Sequence, residues 1–119
     1  MDDKFEISLL YDFYGSLLAP AQQRTVELYV NDDLSLSEAA ELLAISRQGV
    51  RDALSRACAK LRSYEERLSL LEQYRERGHT GDRIAALARR IAAVSDNDEI
   101  TALTDDIVRL ASTLTEQEE

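Results

Sequence analysis

Basic side chains cluster in one short stretch of this sequence. Between Ser46 and Arg62 there are five basic residues and one acidic residue, so the stretch is net +4 while the whole chain is net −9. Arginine can donate two hydrogen bonds to guanine O6 and N7, and glutamine can pair in a similar way with adenine. This stretch is therefore where a nucleic acid can approach an otherwise acidic chain. Its candidate contact residues are Arg47, Gln48, Arg51, Arg56, Lys60 and Arg62.

The order of these residues along a predicted helix divides them by role. Arg47, Gln48 and Arg51 occupy the first turns of a helix that Ser46 caps, on the face away from the apolar Val50. In a helix-turn-helix, that N-terminal part of the second helix enters the major groove. We therefore expect these three side chains to contact bases, and the three later basic residues to contact phosphates.

The elements around this stretch have the spacing of a helix-turn-helix. Ser35 and Glu38 fit a capping box at the start of a short helix, Ala40 stands where two helices cross, and Ala44 lies in the turn, where glycine is commoner. Any tight helix corner needs small residues, so the spacing alone is moderately specific. The alternative interpretation is a solvent-exposed basic helix face whose arginine and lysine side chains pair with acidic residues such as Asp52.

The composition predicts an all-α fold. Four glycines and one proline leave few turns in 119 residues, and Ala, Leu, Glu and Arg dominate. Apolar residues at helical spacing predict a first helix over residues 5–18 and a second from Pro20 to about Val30. The helix that starts after Ser46 has no breaker before Gly78, so we expect it to run on for some 30 residues.

The C-terminal part of the sequence predicts a helical hairpin. Gly78 to Gly81 are interpreted as a hinge, with Thr80 capping a fifth helix, and a sixth helix follows a polar break at 95–98. The predicted domains are therefore 1–77, a helix-turn-helix domain with a long fourth helix, and 78–119, a hairpin with an acidic tail. The sixth helix carries apolar residues at alternating spacings of three and four, namely Ile100, Leu103, Ile107, Leu110 and Leu114.

This apolar seam and the far half of the long helix predict a homodimer. A chain this small has no other element left to cover them. Burial of each large apolar side chain contributes about 1.5–3 kcal/mol of stabilising free energy. An isolated chain would therefore lack several kcal/mol that burial of the seam provides. A second copy of the chain is the partner that we expect.

The sequence argues against catalysis. It has one histidine, His79, between glycines in a predicted loop, and one cysteine, Cys58, beside an apolar helix line where we expect it to fill the core. A metal site or a disulfide needs more such residues. The run from Asp96 to Glu99 begins like a calcium loop but lacks the later glycine and closing glutamate, so we interpret it as a helix cap. No phosphate-binding loop or catalytic triad is visible, and neither an enzyme nor a cofactor is predicted.

The sequence also predicts a cytoplasmic location without membrane insertion. The N-terminus is charged and is followed by no apolar segment of a signal peptide. No run approaches the 18 or so apolar residues that a membrane-spanning helix needs. A single thiol is typical of a reducing compartment.

The motifs resemble a known family. The run SRQGVRDALSRACAKLR from Ser46 to Arg62 is similar to the second helix of region 4 in bacterial sigma factors. The wider stretch over residues 9–74, with DDLSL, ISRQ and YEERL, resembles the YlxM-type helix-turn-helix proteins more closely. The chain departs from the pattern at three positions, where Ala19 replaces a threonine cap, Gly49 an alanine and Arg51 a tyrosine.

The resemblance implies a sigma region 4-like all-helical bundle, a homodimer, and a regulatory or accessory role in the signal recognition particle pathway of bacteria. It implies DNA or the RNA of that particle as the partner, with base contacts at Arg47, Gln48 and Arg51. The alternative is an adaptor that binds the particle's GTPase without touching nucleic acid. The acidic segment 82–119, with nine acidic and four basic residues, motivates that alternative.

Overall fold

Every regular element in the computed structural model, which describes residues 3–115, is helical. The all-α prediction is confirmed, and the acidic tail 116–119 lies outside the described residues. A 3-10 turn over Gly15–Leu17 follows the first helix, and a π-helical turn over Glu27–Asn31 extends the second. The helices are α1 (Lys4–Tyr14), α2 (Pro20–Val26), α3 (Leu36–Leu43), α4 (Arg47–Leu68), α5 (Leu70–Ala93) and α6 (Asp98–Ser112).

The chain divides into two units. Met1–Leu71, here the helix-turn-helix unit, holds α1 to α4 and the first residues of α5. Glu72–Glu119, here the hairpin unit, holds the rest of α5 and α6. The division lies six residues before the predicted boundary between residues 77 and 78.

In the helix-turn-helix unit, α1, α2 and α3 all pack against α4. The predicted apolar line of α4 is buried: Val50, Ala57 and Leu61 are fully inaccessible, and Leu54 is 1% exposed. Cys58 is buried beside them, as expected for a core residue. Burial of such side chains is the dominant stabilising contribution to a fold, so α4 is the central element of this unit.

The caps predicted for the helix-turn-helix are confirmed. The Ser35 hydroxyl accepts from the backbone N–H of Glu38 at 3.1 Å, and the Glu38 carboxylate accepts from the N–H of Ser35 at 3.1 Å. Ser46 accepts from the N–H of Gly49 at 2.9 Å. These bonds satisfy N–H groups that have no partner inside a helix, which defines where α3 and α4 begin.

The prediction of one continuous helix from residue 47 to about 77 is wrong. Helix α4 ends at Leu68, and Ser69 adopts the left-handed conformation with φ of 54°. The first N–H groups of α5 are then captured by side chains: Leu70 donates to the Tyr14 hydroxyl at 2.9 Å, and Leu71 donates to the Glu65 carboxylate at 3.0 Å. Tyr14 is fully buried and its hydroxyl donates to Glu65, so α1 determines where the helix breaks.

The predicted hinge at Gly78 to Gly81 is also wrong. These residues lie inside α5, so Thr80 is not an N-cap and His79 lies in a helix instead of a loop. A glycine within a helix costs only about 1 kcal/mol, which packing can offset. At Gly81 the reason is close approach, because a Cβ atom there would lie 2.7 Å from the carbonyl oxygen of Ala111 in α6.

The hairpin unit buries small residues and exposes large ones. Helix α6 is capped by Asn97, whose side chain accepts from the N–H groups of Glu99 and Ile100, so the predicted cap in this segment is confirmed. Small residues line the contact between α5 and α6: Gly81, Ala85, Ala88, Thr104 and Ala111. The large apolar side chains beside this contact remain at least 36% exposed, namely Ile84, Leu87, Ile91, Val94, Ile100, Leu103, Ile107 and Leu110.

These eight exposed residues, here called the apolar face, lie on one side of the hairpin. Along α5, with Val94 one residue beyond its end, and along α6, they recur at spacings of three and four on the same rotational flank of the small residues. The two helices run antiparallel, since Tyr74 bonds to Thr115 and Gly81 approaches Ala111. When two helices are antiparallel, residues that lie to the same rotational side of the contact on each helix face the same side of the pair. The exposed apolar residues of α5 and α6 therefore form one surface.

Candidate nucleic-acid interface

The start of α4 lies beside the start of α3, across an open groove of about 610 Å³. We call it the recognition groove. At its N-terminus, each helix presents free backbone N–H groups and the positive end of the helix dipole, and both favour the binding of anions. The groove is lined by Ser35, Leu36, Ser37, Ser46, Arg47, Gln48 and Arg51.

The turn between α3 and α4 brings the two N-termini together. Ala44 adopts a left-handed conformation, with φ of 57° and ψ of 40°, and its N–H and that of Ile45 bond back to the end of α3. A residue with a Cβ pays a cost of about 1–2 kcal/mol for this conformation, which glycine avoids. The chain nevertheless makes the tight turn with alanine, and the helix-turn-helix spacing predicted from the sequence is present.

The structure brings together Arg47, Gln48 and Arg51, the three residues predicted to contact bases. All three are exposed and line the recognition groove. Within residues 3–115, neither arginine forms a salt bridge or a hydrogen bond to a side chain. Both guanidinium groups are therefore available to guanine edges or to phosphate oxygens.

Asp52 is a residue of this surface that sequence analysis treated only as an ion-pair partner. In the structure its carboxylate accepts a hydrogen bond from the Gln48 side chain at 3.0 Å, one helical turn away. It forms no salt bridge with a basic residue among residues 3–115. A carboxylate is chemically able to accept a hydrogen bond from cytosine N4, so Asp52 gives the exposed face of α4 an acceptor group beside the arginine donors. Its i, i+4 spacing from Gln48 was the signal in the sequence.

The three later basic residues occupy different sides of α4. Arg56 lies next to α2, where it lines a separate groove, and the Lys60 ammonium bonds to the Gln22 side chain of α2 at 3.3 Å. Arg62 is half-buried. None of the three lines the recognition groove, so the structure separates them from Arg47 and Arg51. Their predicted phosphate contacts stay a prediction.

Groups with shifted pKa values belong to the scaffold. Burial raises the pKa of Tyr14, and the neighbouring Glu65 carboxylate adds to the effect. Burial and a hydrogen bond to Glu27 raise the pKa of Tyr11 to about 12. The hydrogen bond from Lys4, 2.8 Å long, lowers the pKa of Asp33. These contacts join α1 to later elements of its unit and do not line the recognition groove.

The described part of the chain contains no constellation for metal binding. Among residues 3–115, no three His, Cys, Asp or Glu side chains come close enough to hold an ion. No helix in that range is long and apolar enough to cross a membrane.

The chain is similar to proteins of known sequence along most of its length. Residues 1–100 match the family UPF0122, described as "Putative helix-turn-helix protein, YlxM / p13 like". A UPF0122 protein of Thermoanaerobacter sp. (strain X514) is 42% identical over 110 residues, which cover 92% of this chain and 94% of the relative. The UPF0122 protein YlxM of Bacillus subtilis (strain 168) is 39% identical over 104 residues, covering 87% and 92% respectively.

Proposed function

Because the chain belongs to the UPF0122 family of YlxM / p13-like helix-turn-helix proteins, we propose that it is a non-enzymatic nucleic-acid-binding protein of the bacterial cytoplasm. One observation carries the proposal. Arg47, Gln48 and Arg51 line one open groove beside the N-termini of α3 and α4, and within residues 3–115 neither arginine forms a salt bridge or a side-chain hydrogen bond.

The preferred ligand is duplex DNA. The major groove of B-form DNA admits a helix and displays the acceptor atoms that Arg47 and Arg51 can read. The N-terminus of α3 then faces the sugar-phosphate backbone, where its free N–H groups meet a phosphate. Duplex RNA has a deep and narrow major groove that side chains cannot enter. Binding to the RNA of the signal recognition particle would therefore rely on phosphates, loops or unpaired bases.

The charge distribution supports nucleic-acid binding in one orientation, with weak affinity for nucleic acid of arbitrary sequence. The stretch from Ser46 to Arg62 is net +4 in a chain of net −9. Long-range repulsion lowers the affinity for an arbitrary polyanion, while the local arginines favour one orientation of approach. Affinity should fall as salt rises, with a small slope, since few phosphates are neutralised.

A salt series of binding tests this function. Wild-type protein is titrated into duplex DNA and into the particle RNA, with fluorescence anisotropy as the measurement. The double variant Arg47→Ala/Arg51→Ala should weaken DNA binding at least tenfold, because each bidentate arginine contact contributes about 1–3 kcal/mol. The matched control Arg89→Ala/Arg90→Ala removes the same charge from exposed positions of α5. Equal weak binding by wild type and both double variants would overturn the proposal.

We further propose that the apolar face of the hairpin unit joins two copies of the chain. The face presents eight large apolar side chains, and the most exposed of them, Val94, Leu103 and Leu110, are each at least 57% exposed and gain most from burial. Two hairpins meeting at this face would form a four-helix arrangement, a common solution for such surfaces. A dimer would present two α4 helices, as two-fold symmetric DNA sites require.

Light scattering tests this association. Wild type at micromolar concentration should have twice the mass of one chain, and Leu87→Ser/Leu103→Ser should have the mass of one chain. The control Leu42→Ser changes a leucine of similar exposure on α3. A wild-type protein with monomer mass at that concentration contradicts the dimer.

A second function is favoured by the acidic charge of residues 82–119, with nine acidic and four basic residues. An adaptor would use this segment to bind a basic protein such as the GTPase of the signal recognition particle. Affinity capture from bacterial lysate, with and without nuclease, separates the two functions. Capture of that GTPase after nuclease treatment supports the adaptor, whereas its loss supports an indirect link through nucleic acid.

A further inference from the structure

A second groove lies on the helix-turn-helix unit, between α2, the end of α3 and α4. Its volume is about 360 Å³, near the lower end for pockets that bind small molecules. Apolar atoms form most of its surface, and two of its lining residues are arginines from different helices. We call it the apolar groove; its principal residues are Ala21, Leu43, Ile45, Ala53, Arg24 and Arg56.

The protein leaves apolar surface of this groove open to solvent. Ile45, which lines the groove, is 45% exposed although it is large and β-branched. The turn geometry explains why Ile45 projects outward, because left-handed Ala44 reverses the chain just before it. The exposed surface still favours a ligand that carries apolar side chains.

The charge beside the groove selects among apolar ligands. Arg24 and Arg56 are exposed, and within residues 3–115 neither forms a salt bridge or a hydrogen bond through its side chain. Among residues 3–115, no acidic side chain lines the groove. Carboxylates of a ligand would therefore meet two unpaired guanidinium groups, which bind carboxylates well.

We propose that the apolar groove binds a short acidic amphipathic helix of a partner protein. Two apolar side chains of that helix, spaced by three or four residues, would fill the groove, with carboxylates beside them on Arg24 and Arg56. The groove does not share lining residues with the recognition groove, so this proposal does not rest on nucleic-acid binding.

A synthetic peptide titration tests the proposal. The probe is a labelled helical peptide with two leucines spaced by four residues and flanked by glutamates. Matched peptides carry lysine for each glutamate, or serine for each leucine. The full chain, labelled with ¹⁵N, should bind the acidic peptide saturably, and the largest amide shifts should fall at Ala21, Ile45 and Ala53. Both matched peptides should bind at least tenfold more weakly.

Variants of the chain make the test specific. Ile45→Ser should weaken the acidic peptide about tenfold or more, the effect of losing one buried apolar side chain. Arg24→Glu/Arg56→Glu alters only exposed side chains, so it should fold normally, lose the acidic peptide and gain the lysine peptide. The control Arg47→Ala/Arg51→Ala should bind the acidic peptide as wild type does.

Three results would overturn the proposal. One is no saturable binding of the acidic peptide up to millimolar concentration. Another is equal binding of the glutamate and lysine peptides. The third is equal binding of the acidic peptide by wild type and by Arg24→Glu/Arg56→Glu, because the two arginines would then contribute nothing to its recognition.

Discussion

The two units of this chain distribute their apolar residues in opposite ways. In the helix-turn-helix unit the buried core is made of large side chains, with Tyr14, Leu54 and Leu61 at most 1% exposed. In the hairpin unit the inside holds glycine, alanine and threonine, while leucines and isoleucines face outward. The first unit is stabilised by its own core. The second brings its two helices close together and leaves its large side chains for another surface.

This difference separates two reasons for exposed apolar residues. In the helix-turn-helix unit, Leu42 and Ile45 are exposed on either side of Ala44, in the turn that positions α4. In the hairpin unit, exposure extends over several helical turns of α5 and α6. A continuous surface of this kind is expected for association between chains, whereas a local one fits a short ligand.

The largest expected effect is on the core of the helix-turn-helix unit. Leu54→Ala removes a side chain that is 1% exposed, and the cavity should lower the free energy of unfolding by about 2–5 kcal/mol. Leu42→Ala, at a position that is 58% exposed, is the control and should change it little. Chemical denaturation followed by circular dichroism measures both. Similar losses in the two variants would contradict the idea of a self-sufficient core around α4.

The next effect tests the small-residue contact of the hairpin. Gly81→Ala places a Cβ atom 2.7 Å from the backbone oxygen of Ala111, which forces α5 and α6 apart and should cost about 1–3 kcal/mol. At Gly78 a Cβ atom has, among residues 3–115, only the Thr115 methyl group within 4.0 Å. Gly78→Ala should therefore stabilise α5 by up to about 1 kcal/mol, since alanine favours helices.

Thermal unfolding of the full-length variants measures this pair. The two substitutions are chemically identical and lie one turn apart in the same helix. Opposite signs are expected, and a stabilising Gly81→Ala would mean that α5 and α6 do not approach as closely as described.

A smaller effect concerns the turn of the helix-turn-helix. Ala44→Gly relieves the left-handed alanine at φ of 57°, partly offset by the greater entropy of glycine in the unfolded chain. We expect a stabilisation of at most about 1 kcal/mol, measured by denaturant titration. Ala39→Gly is the contrasting control, since Ala39 is buried within α3, and should destabilise. A destabilising Ala44→Gly would count against strain at the turn.

The smallest effect is a dependence of stability on alkaline pH. Tyr11 holds its proton in the folded chain with a pKa of about 12, raised from 10.0 by burial and by Glu27. Its contribution is therefore complete below pH 10 and is lost as the pH rises towards 12, because the unfolded chain releases the proton first. The hydroxyl is near solvent, so the contribution is modest.

Denaturation of wild type and Tyr11→Phe at pH 9 and pH 11 isolates this contribution. The wild type should lose more stability than the variant between the two values, because other titrating groups are common to both. Equal losses would mean that the Glu27 contact leaves the Tyr11 proton unaffected.

Much of the helix-turn-helix follows from the sequence alone. The caps at Ser35 and Ser46, the apolar line through Val50 and Leu54, and the grouping of Arg47 with Arg51 all depend on residues within a few positions of one another. Interactions over one or two helical turns are encoded in spacing, so composition and periodicity were sufficient to predict them.

Tertiary contacts decided the rest. The helix breaks at Ser69 because Tyr14, 56 residues before Leu70, accepts a hydrogen bond from that residue's N–H. Helix α5 continues through Gly81 because the backbone of Ala111 lies close to it. Arg56 and Lys60 do not line the recognition groove, because both lie beside α2. A helix breaks or continues according to which partners its backbone finds. Those partners lie far away in the chain, so only the folded structure reveals them.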